Sequence, residues 1–215
     1  KGYKELYEQW RANGPEYKDE LAGMDEALQA DAFGSNLKFG TAGLRGVMGP
    51  GTNRMNEYVV RKATQGLADY LNANFSNPSV SIAYDSRNNS QVYAEESARV
   101  LAANGVKTYL YSQLMPVPVL SFTVRRLGTT CGIVITASHN SREYNGYKVY
   151  GSDGGQILES AADEILQRIG EVDMFGGVKT VEFKPAEGRL IEYVSESIYE
   201  EYMDAMMKAT DICKD

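Results

Sequence analysis

Ser138 and Lys148 are the two residues whose types and spacing most directly suggest chemistry. They stand 10 residues apart in Thr136-Ala137-Ser138-His139-Asn140-Ser141-Arg142-Glu143-Tyr144-Asn145-Gly146-Tyr147-Lys148. The serine follows Cys131-Gly132-Ile133-Val134-Ile135, an apolar, β-branched run that reads as a strand buried on both faces. Open α/β sheets place their chemistry just beyond such strand ends. Tyr147 to Tyr150 reads as a second strand, and a tight return through Asn145-Gly146 is expected to bring the Lys148 amine toward the Ser138 hydroxyl. Three readings compete for a serine so placed. A hydrolase needs a base within reach of the hydroxyl. The one histidine, His139, is the immediate neighbour, whose ring usually points away, and no Gly-x-Ser-x-Gly elbow is present. A plain turn, capped by Ser138 and Asn140, is the reading that local sequence favours. The third is a serine that carries a phosphoryl group, bringing about two negative charges at neutral pH. It requires amide donors, a cation such as Lys148 and a divalent metal.

A second candidate stretch runs from Leu37 to Asn56 and includes Phe39-Gly40-Thr41-Ala42-Gly43-Leu44-Arg45-Gly46 and Gly49-Pro50-Gly51-Thr52-Asn53-Arg54-Met55-Asn56. Repeated glycine implies tight turns or close backbone approach. Successive amides in such a loop cradle anions, and Arg45 offers a forked pair of donors to phosphate. Read alone, the stretch is more simply a loop of turns. It lacks the Gly-Lys-Ser/Thr of a P-loop.

The elements that must position these residues follow from periodicity. Tyr3 to Asn13 reads as a helix stopped by Asn13-Gly14-Pro15, and a second short helix spans Glu16 to Ala22. Asn56 reads as the N-cap of a helix to about Phe75, with Val59, Ala63, Leu67 and Leu71 on one face. Ser79 to Tyr84 reads as a strand, and Asp85 to Ser90 as a polar turn that caps a helix over Gln91 to Asn104. Val106 to Tyr111 is a further strand, and Pro116 and Pro118 open a helix ending at Gly128. After the central stretch, Gln156 to Leu158 reads as a short strand. Ser160-Ala161-Ala162-Asp163 reads as a capping box for a helix to about Gly170, and Glu171 to Arg189 as irregular. A last helix is expected from about Val194 to Thr210, with Ile198, Tyr202 and Met206 seeking a packing partner. The alternation predicts an α/β fold: layered, with a mostly parallel mixed sheet flanked by helices.

Composition narrows the class. The 215 residues suffice for a substantial core. The net charge of -7 argues against nucleic acid or an anionic membrane as partner. No apolar run approaches the roughly 18 residues of a membrane span. Cys131 and Cys213 lie far apart, and Cys131 falls in the buried strand, so free thiols in a reducing cytoplasm are expected. No signal-like segment opens the chain at Lys1, and a single histidine excludes a multi-histidine metal site.

The Thr136-to-Asn140 run, with Asn145-Gly146-Tyr147-Lys148, resembles the phosphoserine loop of the α-D-phosphohexomutases, the phosphoglucomutase/phosphomannomutase superfamily. Phe39 to Gly46 resembles its N-terminal signature. Gly49 to Asn56 resembles the phosphoglucomutase/phosphopentomutase branch. Ser141 departs from the proline common after His-Asn. The resemblance implies a mutase interconverting glucose 1-phosphate and glucose 6-phosphate through a bisphosphate, with a phosphopentomutase, a phosphomannomutase or a non-catalytic sugar-phosphate-binding module as alternatives. It implies that Ser138 passes the phosphoryl group, Lys148 is the acid/base, Arg45 stabilises the transferring charge and His139 shapes the loop. Thr41, Arg45, Asn140 and Lys148 would bind phosphate or substrate. Mg²⁺ would sit on the phosphate of Ser138, and glucose 1,6-bisphosphate would serve as activator and intermediate. The likeness reaches only the first of the family's four domains. The Asp-Gly-Asp-x-Asp-Arg metal loop and the later sugar and phosphate loops are not found in this sequence. The expected organisation is therefore a helical arm over 1–35, an α/β phosphoserine domain over 36–190 and, over 191–215, a helix leading toward a second domain. Such a chain is expected to be inactive alone, with the remaining domains and a phosphosugar as its partners.

Overall fold

Strand β4, Cys131–Ile135, lies inside the sheet with all five residues buried, as a continuous apolar run should. Its odd and even residues part company. Ile133 and Ile135 enter one core and Val134 the other, because successive side chains of a strand leave opposite faces. The computed structural model describes residues 2–210. Around β4 stand β1 (Leu44–Val47), β2 (Ser79–Tyr84), β3 (Lys107–Leu110), β5 (Tyr144–Gly151) and β6 (Ile191–Tyr193). The order across the sheet is β1-β5-β4-β2-β3-β6. β2 pairs in parallel with β3 and β4, and β3 with β6. β5 runs antiparallel to β4 and β1, so the sheet is mixed and mostly parallel.

Helices cover both faces. α4 (Glu57–Asn74), α5 (Ser90–Ala103) and α7 (Glu159–Glu171) bury Val60, Ala63, Leu67, Leu101 and Ile165 against Ile133, Tyr147 and Val149. α6 (Val117–Leu127) and α8 (Glu196–Thr210) bury Val119, Leu120, Val124 and Ile198 against Ala83, Val134 and Tyr150. The Asn56 side chain accepts a hydrogen bond from the Val59 amide, which starts α4 where its residue type predicts. The N-terminal arm is α1 (Tyr3–Asn13), a 3₁₀ turn (Pro15–Tyr17), α2 (Lys18–Ala22) and α3 (Glu26–Phe33). Its Tyr7, Trp10, Leu21 and Phe33 gather around Tyr58 of α4.

Several sequence expectations are corrected. The stretch read as a loop of turns contains β1, an edge strand held by antiparallel pairing with the distant β5, Leu44 opposite Tyr147. Asn145-Gly146 is not a turn but lies inside β5, and the reversal is made by residues 136–143. Ser160 to Asp163 forms no capping box: α7 begins after Leu158, with no side-chain cap. Residues 85–90 do not cap α5 by a side chain either, and Asn89 precedes that helix in a left-handed conformation. Gln156 makes only an isolated bridge to Tyr150, so 156–158 is no strand. Periodicity missed two short elements. α3 is capped by Asp25, and β6 is too short to show alternation. The boundary at 190 falls just before β6, so the sheet continues into the C-terminal segment. Cys213 lies outside the described residues.

Candidate functional site

Parity in the strands decides which side chains meet. Arg45 of β1 lies opposite Gly146 of β5, and Lys148 follows Gly146 by two residues, so Arg45 and Lys148 stand on one face of the sheet. Lys148 is opposite Val134 of β4, at the strand end from which the Ser138 loop departs. Gly146 permits the arrangement. A Cβ there would meet the Thr136 carbonyl oxygen at 2.6 Å and that of Leu44 at 2.9 Å. Gly43 is also required: its φ is +74°, and a Cβ would lie 2.0 Å from the Tyr147 carbonyl oxygen. The turn before β1, closed by the Gly43 amide on the Gly40 carbonyl, therefore presses on the backbone of Tyr147 and Lys148. Thr41 is exposed at the tip of this turn.

Ser138 is exposed and left-handed, with φ at 55°. That conformation is costly for a residue with a Cβ and persists where its surroundings over-determine it. Its amide donates to Thr136 Oγ1 at 2.9 Å. Lys148 Nζ lies 2.8 Å from Ser138 Oγ. Burial pushes the Lys148 amine below its ordinary value, the Arg45 guanidinium pushes the same way, and Asp85 opposes. Arg45 Nη1 donates to Asn140 Oδ1 at 3.0 Å, tying β1 to the serine loop. His139 is exposed, and no hydrogen bond joins its ring to Ser138 among the described residues.

One residue that holds the loop escaped sequence reasoning. Arg87 follows β2, read above only as part of a polar turn. Its Nη2 donates to the carbonyls of Ser138 and Asn140, both at 2.6 Å. Its Nη1 donates to those of Ser141 at 2.9 Å and Tyr144 at 3.2 Å. Asp85 pairs with Arg87 Nε at 3.5 Å and accepts from the Arg87 amide and Ser90 Oγ. Asn145 Nδ2 reaches across to the Asn88 carbonyl and Ser90 Oγ. The two loops meet because β2 and β4 are parallel neighbours, with Tyr84 opposite Ile135, so both emerge at the same end of the sheet. An Asp-x-Arg directly after a buried strand was the available signal.

A hydroxyl in contact with an amine of depressed basicity, beside a guanidinium, can exchange a phosphoryl group with a bound hydroxyl. Among the described residues, no three His, Cys, Asp or Glu side chains are grouped to hold a metal ion.

Comparisons with known proteins bear on the family and the fold. The model of the phosphoglucomutase/phosphomannomutase α/β/α domain I matches residues 36–174. The chain is 44% identical over 169 residues to the phosphoglucomutase of Staphylococcus aureus strain USA300, covering 79% of this chain and 30% of that protein. It thus spans under a third of that relative's length. A solved structure from Thermus thermophilus, assigned as a phosphomannomutase, superposes with a TM-score of 0.69 at 25% identity, covering 83% of this chain and 37% of that one. A phosphoglucomutase/phosphomannomutase family protein from Burkholderia thailandensis shares the fold, with a TM-score of 0.60 at 22% identity over 79% of this chain and 35% of that one. The match over 36–174, the shared fold and the serine loop at the end of β4 lead to one conclusion: the chain belongs to the phosphoglucomutase/phosphomannomutase family and carries its domain I.

Proposed function

We propose that this chain is the phosphoserine-bearing first domain of a phosphosugar mutase that interconverts glucose 1-phosphate and glucose 6-phosphate through a bisphosphate. The observation that carries the reading is the 2.8 Å contact between Lys148 Nζ and Ser138 Oγ. In the forward step a sugar hydroxyl attacks the phosphorus on Ser138. A sugar O–P bond forms as the Ser138 O–P bond breaks. Lys148 takes the hydroxyl proton and returns a proton to the Ser138 oxygen. Desolvation of the amine suits this role, because an amine titrating nearer neutrality exchanges protons more readily. Arg45 offsets the charge on the transferring group, Asn140 holds Arg45 in place, Thr41 lines the phosphate approach and His139 shapes the loop.

Mg²⁺ would bind through a phosphate oxygen on Ser138 and neutralise developing charge. Its other ligands would, in this reading, come from elsewhere in a full-length protein; among the described residues no three His, Cys, Asp or Glu side chains are grouped to hold a metal ion. Glucose 1,6-bisphosphate would recharge Ser138. In this reading 1–35 is a helical arm, 36–190 the catalytic α/β domain and 191–215, which also supplies the edge strand β6 to that domain's sheet, the lead into a second domain, and the chain is inactive without further domains. The free, buried Cys131 fits a cytoplasmic enzyme.

The test is peptide mapping of the full-length protein after incubation with glucose 1,6-bisphosphate. The expected result is one phosphoryl group on Ser138, with mutase activity lost in Ser138→Ala. Ser138 remaining unmodified in an otherwise folded, ligand-binding protein would sink the proposal.

A further inference from the structure

We infer that Arg87 is a positioning residue that shapes the Ser138 loop into a receptor for the phosphoryl group; this rests on the phosphoserine reading above. Arg87 collects four backbone carbonyls, those of Ser138, Asn140, Ser141 and Tyr144. Four carbonyl oxygens turned toward one point repel one another without a cation between them. A guanidinium stays charged and fans its donors in a plane, so it can serve them all.

The consequence appears on the other side of the loop. No described peptide bond is cis. In a trans peptide the carbonyl and the next residue's N–H point in opposite directions. With the Ser138, Asn140 and Ser141 carbonyls drawn to Arg87, the amides of His139, Ser141 and Arg142 must face away from it. Those three donate to no other group among the described residues, whereas the intervening Asn140 amide is used by the Ala137 carbonyl. His139, Ser141 and Arg142 are all exposed. Three peptide N–H groups are thus exposed on the side of the loop away from Arg87, available as donors to phosphate oxygens. Arg87 never needs to touch the ligand. Asp85 fixes the guanidinium, and Asn145 and Ser90 bolt the two loops together.

The experiment uses the full-length protein charged with glucose 1,6-bisphosphate, comparing wild type with Arg87→Ala and Arg87→Lys. Wild type that never acquires phosphate on Ser138 overturns the mutase reading itself, whatever Arg87 does. In a wild type that is phosphorylated, Arg87→Ala is expected to lower kcat about a hundredfold with KM little changed, the scale of loss for a misplaced reacting group. The ³¹P resonance of phospho-Ser138 should move in both variants, and added guanidinium ion should restore part of the Arg87→Ala activity. Arg87→Lys keeps the charge but not the fork and should remain impaired. If Arg87→Ala does not fold, Arg87→Lys decides. A lysine variant with wild-type kcat and an unmoved ³¹P resonance overturns the inference.

Discussion

At the scale of single residues, the site combines a backbone under strain with an amine held below its ordinary basicity. Ser138 keeps a left-handed φ of 55° that glycine would adopt freely. Ser138→Gly and Ser138→Ala both delete the hydroxyl, yet only glycine relieves the backbone. Denaturant unfolding should therefore show Ser138→Gly the more stable of the two by about 1 kcal/mol, with neither accepting phosphate. Equal stability would mean that the loop imposes no strain. Lys148 gives a pH signature. Burial and Arg45 lower its folded pKa beneath the ordinary 10.5, against the pull of Asp85. Between the two values the folded protein binds fewer protons than the unfolded chain, so this group's contribution to stability rises with pH. Lys148→Met removes that contribution. Relative to wild type, the variant should be at its best at neutral pH and lose ground as the pH climbs toward 10.5. Melting temperatures across that range check the direction; an advantage of the variant that grows with pH contradicts it.

At the scale of elements, the site depends on β1 lying flush against β5. Gly43 and Gly46 flank Arg45 and separate two kinds of tolerance. A Cβ at Gly43 would strike backbone, the Tyr147 carbonyl oxygen at 2.0 Å, and the residue also has a positive φ. A Cβ at Gly46 would meet the end of the Leu37 side chain at 2.8 Å, which can swing aside. Gly43→Ala is expected to cost about 3 kcal/mol or more, while Gly46→Ala stays within about 1 kcal/mol. Chemical denaturation of both variants checks the contrast. Gly43→Ala should also weaken the Arg45–Asn140 link, since the strand carrying Arg45 would be displaced. The Asp85 and Ser138 loops form a second unit, joined by hydrogen bonds.

At the scale of the molecule, two buried probes report on different parts of one structure. Trp10, the one tryptophan, lies in the arm among Phe33, Tyr58 and Phe175, and is 1% exposed. Cys131 lies within the sheet, where burial pushes its thiol up to about 12. The arm shares Tyr58 with α4, and Met174 packs on both the arm cluster and the larger core. Arm and sheet should therefore unfold together. Loss of buried Trp10 emission and onset of Cys131 labelling by a thiol reagent, located by peptide mapping, are expected at one denaturant midpoint. Separate midpoints would show the arm to be an independent unit. No helix among the described residues is long and apolar enough to cross a membrane.

Local sequence determined those elements whose own residues carry the signal. β4 announced itself as an apolar run, α4 by its Asn56 cap and four-residue spacing, and the Ser138–Lys148 pair by residue type and separation. The family was legible because two motifs occur in the right order. What tertiary structure alone decided were relations between distant segments. β1 is a strand because β5 pairs with it, β6 because β3 has a free edge, and Arg87 matters because two parallel strands end side by side. Pairing energy and loop proximity belong to two segments at once, so neither segment alone can encode them visibly.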